Sequence, residues 1–181
     1  MSESLIPKHG GYRDLRSFQN ATIAYDATVA FCNRFIDKRS RTHDQMVQAA
    51  RSGKQNIAEG SMASGTSRKT ELKLVGVARA SFEELLQDYL DFLRQRDLPE
   101  WLKDDPRKQA IRRLAQAPER SYGTYRTYVE DGDAETAANC LVCLVNQTNY
   151  LLDQQLRQLD RRFLEEGGMT ERLYRMRQER R

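Results

Sequence analysis

The chain offers few side chains that could make or break a covalent bond. Its two histidines are His9, close to the N-terminus, and His43, in a basic stretch, and neither has partners at metal-ligand spacing. A di-iron helical bundle would need Glu-x-x-His pairs on facing helices, and none occurs. Cys140-Leu-Val-Cys143 has the spacing of a redox pair, but it lies within an apolar helical stretch and not at a helix start. Core packing is therefore the expected role of both thiols. The acids Glu83-Glu84 and Asp88/Asp91 have the chemistry for proton exchange. With Phe82, Leu85 and Tyr89 forming the buried stripe, however, Glu84 and Asp88 are expected to face solvent. No glycine-rich phosphate loop or nucleophile elbow is present. These residues point to a protein that is not an enzyme and needs no metal or cofactor.

What the chain does carry is unevenly placed charge. Of 181 residues, 30 are Lys or Arg and 26 are Asp or Glu, a net of +4. Residues 34–54 hold six bases (Arg34, Lys38, Arg39, Arg41, Arg51, Lys54) against the two acids Asp37 and Asp44. The tail from 167 holds five arginines against Glu171 and Glu179, whereas 81–100 has six acids against two bases. Such asymmetry suits either a phosphate-binding surface or the pairing of basic and acidic faces between subunits. For a phosphate backbone, Arg34, Lys38, Arg39, Arg41, Arg51, Lys54, Arg68 and Lys69 are the candidate contacts. No assembled reader of base edges is visible, so binding to RNA or DNA should be salt-dependent and mostly non-specific. Tyr122, Tyr125 and Tyr128 have faces that bases stack on, but packing within their own segment is the expected role. The alternative is a protein–protein scaffold in which charge serves solubility and assembly.

These residues sit on helices. Apolar residues make up 39% of the chain, and the ten Gly and four Pro are too few for a turn-rich sheet protein. Apolar positions recur every three or four residues in four segments. The first, about 17–36, carries Phe18, Ala21, Tyr25, Val29 and Cys32; the second, about 44–59, carries Met46, Ala50, Gly53 and Ile57. The third, from a Ser67 cap to about 96, carries Val75, Ala78, Phe82 and Leu85. The fourth, capped by Asp133 and ended by Gly167-Gly168, carries Ala137, Leu141, Leu144 and Thr148. Four such stripes bury each other most economically as an all-α antiparallel four-helix bundle. The expected organisation is a flexible leader at 1–14, a bundle at 15–166 with a helical insertion at 97–132, and a short basic helical tail at 167–181. Within the insertion, 106–117 reads as a helix with Pro106 in its first turn. The longest strictly apolar run, 140–145, is six residues, against the roughly 20 of a membrane helix. The N-terminus lacks the pattern of a signal peptide, so a cytoplasmic protein without membrane association is expected.

One polar motif exceeds a generic bundle. Asn56 falls on the flank of the Met46/Ile57 stripe and Arg79 beside the Val75/Phe82 stripe, so the two are expected to meet between helices, with Ser81 nearby. Ala49, Ala50 and Gly53 permit close approach, Gly60 is expected to cap the second helix, and Glu59 points outward. The string Asn56-Ile-Ala-Glu59-Gly60, with Ala49-Ala50 and Ser52 upstream, resembles a four-helix-bundle family. That family is named after the protein encoded in intervening sequences of 23S rRNA genes, and it includes the accessory variability determinant of diversity-generating retroelements. Ala78-Arg79 and Ser81 with Glu84 resemble the family's second motif, and Arg68-Lys69 occupy its basic start to the third helix. The insertion and tail are longer than in a typical member. The resemblance implies a homo-oligomer, characteristically a pentamer, that binds nucleic acid and partners a reverse transcriptase or structured RNA.

Overall fold

A computed structural model describes residues 9–178. The leader residues 1–8 and the tail residues 179–181 lie outside the described residues. Four long helices form: α1 (Arg16–Phe35), α2 (Arg41–Ala63), α3 (Arg68–Gln95) and α5 (Ala134–Glu166). Between α3 and α5 stands the short α4 (Pro106–Leu114), and α6 (Met169–Gln178) follows α5. Each long helix packs antiparallel on the next, and α5 returns to lie against α1, closing the bundle.

Local chemistry sets the helix boundaries. Ser67 accepts from Thr70 N and Asp133 from Thr136 N, satisfying amide donors at the starts of α3 and α5. Gly167, at φ 69°, ends α5. Helix α2 is longer than its sequence pattern implies. Ser40 caps it three residues earlier by accepting from Thr42 N, and it continues through Gly60 to Ala63. Gly60 is therefore not a cap but a buried position inside the helix, and only 64–67 form the connection to α3. The helix expected over 106–117 stops at Leu114, with Asp105 as its cap and Pro106 at its start.

The core follows the four stripes. Phe31 of α1 meets Tyr89 and Phe92 of α3 edge-on, with ring centroids 5.0 and 4.9 Å apart. The Tyr89 hydroxyl donates to Thr28 Oγ1 at 2.9 Å, so its burial leaves no stranded donor. Across the α1–α5 seam, Asn20 Nδ2 donates to Thr148 Oγ1 at 2.8 Å and Leu144 O at 3.2 Å.

The insertion covers the outer face of α5. Its own Trp101, Ile111, Tyr125 and Val129 are buried, and residues 127–131 form a π turn against α1 and α5. Asn139 of α5 ties the segment down by accepting from Trp101 N at 2.8 Å and donating to Pro99 O at 3.0 Å. Arg34 of α1 donates to Val129 O and Gly132 O at 2.9 and 2.6 Å. Covered by α1 and α3 on one side and the insertion on the other, α5 buries every residue from Ala137 to Val145. A helix apolar all round is a helix enclosed all round. The thiols of Cys140 and Cys143 lie here, and burial pushes the Cys143 thiol up to about 11. Both pack as expected. No described helix is long and apolar enough to cross a membrane.

Candidate nucleic-acid interface

The eight cations singled out from sequence do not share one surface. Three are engaged in holding the fold. Arg34 clamps the insertion, and the Lys54 ammonium lies over the Tyr25 ring, 4.5 Å from its centre. Arg68 donates to Arg162 O and Gly167 O at 3.1 and 3.4 Å and pairs with Glu166, tying the start of α3 to the end of α5. Arg39 is exposed beside Asp37 at 3.6 Å. Lys38, Arg41, Arg51 and Lys69 are exposed and make no hydrogen bond or ion pair among the described residues. Lys38, Arg39 and Arg41 gather at the α1–α2 end, while Lys69 follows the opposite end of α2. At 1.5 Å per residue the 23 residues of α2 put these groups roughly 35 Å apart.

The polar motif is also arranged differently from the expectation. Asn56 does not meet Arg79. Its Nδ2 donates to Ser52 O and Oγ at 2.8 and 3.2 Å, and Ser52 Oγ lies 3.2 Å from Ser81 Oγ, so the α2–α3 link is a hydroxyl pair. Arg79 turns to the other neighbour, reaching Asp153 of α5 at 3.0 Å and Glu83 at 2.8 Å. Asn149 also donates to Glu83, at 3.3 Å. Two polar seams thus set register, one on each side of α3. Glu59 and Glu84 are exposed. Asp88 is not fully solvated as expected but half-buried, and burial, with Glu84 and Asp91 adding, pushes its carboxyl up to about 6.

The fold assembles a different cationic site. A cleft of about 590 Å³ opens between α4 and α5 and is lined by Arg16, Lys103, Lys108, Arg112 and Arg120. Among the described residues no acid lines it. A second hollow of about 920 Å³ shares Lys103 and Arg112 and adds Arg113, with Asp104 as its one acid. Two of the cations are already engaged. Lys108 Nζ donates to Trp101 O at 2.6 Å, and Arg120 donates to Asn20 Oδ1 at 2.9 Å. The side chains of Arg16, Lys103, Arg112 and Arg113 have no hydrogen bond or ion pair among the described residues. Lys108 and Arg112 draw the Cys143 thiol down against its burial, with Glu100 opposing them, so cations outnumber the acid acting on the cleft floor. Low-dielectric walls around uncompensated charge focus its field outward.

Sequence reasoning missed this site because the insertion was read for packing alone. One local signal existed: Lys108 and Arg112 stand four apart on α4 and so share a face. The contributions of Arg16 and Arg120 come only from the tertiary fold. Among the described residues no group of three or more His, Cys, Asp or Glu could hold a metal. No family model, curated protein or solved structure matches the chain.

Proposed function

We propose that this protein is a non-enzymatic nucleic-acid-binding accessory protein that holds RNA or DNA through phosphates. The α4–α5 cleft is its main contact, and Lys38, Arg41, Arg51 and Lys69 are outlying ones. The observation that carries the reading is the set of four partnerless cations, Arg16, Lys103, Arg112 and Arg113, at an open cleft and its neighbouring hollow. Solvated surface cations ordinarily alternate with acids; here Asp104 lines the hollow and Glu100 pairs with Lys108 at 3.7 Å, which leaves these four cations without an ion pair. The likeness of the Asn56–Glu59–Gly60 and Arg79–Ser81–Glu84 segments to the intervening-sequence family supports a homo-oligomer, a pentamer in that family. It also supports a reverse transcriptase as protein partner. An oligomer repeats the cleft and multiplies its pull on a long polyanion.

Fluorescence anisotropy with a labelled single strand tests this. With four phosphates neutralised, log K should fall against log salt with a slope of about −3. The double variant Lys103→Glu/Arg112→Glu should weaken binding by about tenfold or more. Absence of binding at about 50 mM salt would leave the protein–protein scaffold as the better reading.

A further inference from the structure

We infer that the α4–α5 cleft is shaped to seat one nucleotide unit, with its phosphate on the free cations and its base on the cleft floor. The inference rests on the same cleft as the proposed function but asks more of it. A bare phosphate-binding surface needs only cations. This cleft also has an apolar floor, made by Ala115, Cys143 and Leu151, and its volume of about 590 Å³ lies in the range of roughly 300–1,000 Å³ usual for small-molecule sites. A phosphate ion alone would leave that floor empty.

Two carboxamides are at hand; Asn146 is exposed and its Nδ2 already donates to Val142 O at 2.9 Å, whereas Gln147 is partly buried. Asn146 and Gln147 line the cleft, and the buried Oε1 of Gln147 accepts no hydrogen bond among the described residues. A buried acceptor without a donor is costly, and a ligand N–H satisfies it. Carboxamides pair with nucleobase edges, and exposed Tyr150 at the rim offers a ring face for a base. The free arginines favour phosphate over a carboxylate. Their planar forks match its oxygens, and its charge near −2 calls for more than one cation. A nucleotide supplies all three features: anionic group, apolar body and edge donor. The unit is either a free nucleotide or one end of a strand.

Isothermal titration of the full chain with AMP, CMP, adenosine and inorganic phosphate tests the inference. AMP or CMP should bind about tenfold or more tightly than either adenosine or phosphate. Lys103→Glu, an exposed change that cannot disturb the core, and Leu151→Trp, which fills the floor, should each weaken nucleotide binding by about tenfold. Melting curves report whether Leu151→Trp still folds. Displacement of AMP by a 5′-phosphorylated oligonucleotide assigns the site to a strand end, and failure to displace assigns it to a free nucleotide. The inference is overturned if no nucleotide binds, if phosphate binds as tightly as AMP, or if both variants bind normally. Strand binding without nucleotide binding would remove this inference alone. Nucleotide binding without strand binding would remove only the proposed function.

Discussion

Asp88 is a half-buried acid of α3, with Glu84 a turn before it and Asp91 a turn after. Burial and these like charges raise its carboxyl from 3.8 to about 6. A raised folded-state value means that the folded state binds the proton more tightly. The stability it contributes is full below the unfolded value, falls as pH rises from about 4 to about 6, and stays lost above that. Solvent reaches much of this side chain, so the effect is discounted to about 1 kcal/mol. Asp88→Asn should accordingly raise stability at pH 7 by about 1 kcal/mol and flatten the melting temperature between pH 4 and 6. Melting curves across that range check it, and a variant as pH-sensitive as wild type would refute it. The sequence places Asp88 with Glu84 on a solvated face. Its half-burial is legible only once Ser81, two helical turns before it, is known to face α2.

Two glycines of α2 carry opposite consequences for the element. An added Cβ at Gly53 would stand 2.5–3.0 Å from the buried Phe82 ring, so the aromatic of α3 lies directly on the α2 backbone there. At Gly60 the same atom would meet Glu71 O, Leu74 and Val75 at 3.4–3.5 Å, an ordinary contact. Gly53→Ala should therefore cost about 1–3 kcal/mol through overpacking. Gly60→Ala should be neutral or gain up to about 1 kcal/mol from helix propensity. Urea unfolding of the two variants separates them, and equal effects would contradict the packing argument. The long helices were legible because apolar spacing and the caps Ser67 and Asp133 are local signals. Gly60 misleads because a glycine after a polar residue reads as a stop, while its burial inside a continuing helix depends on α3. The cleft was illegible for a related reason: Arg16, Lys103 and Arg120 belong to separate segments and share no local period.

The bundle and its insertion share a core, since residues 137–145 of α5 belong to both. Trp101, the single tryptophan, is buried in the insertion, whereas helical signal comes mostly from the bundle. Urea transitions followed by Trp fluorescence and by far-UV circular dichroism should therefore coincide. An earlier fluorescence transition would show the insertion opening by itself. The closure of α5 onto α1 also has a consequence in time. Helix α1 is finished at Phe35, but the helix that completes its burial ends at Glu166. At about 5–20 residues per second, a ribosome needs on the order of ten seconds to deliver it. Through that interval the nascent α1 presents Ser17 and Asn20 without their α5 partners Gln155, Leu144 and Thr148, and it is then that a chaperone has its opening.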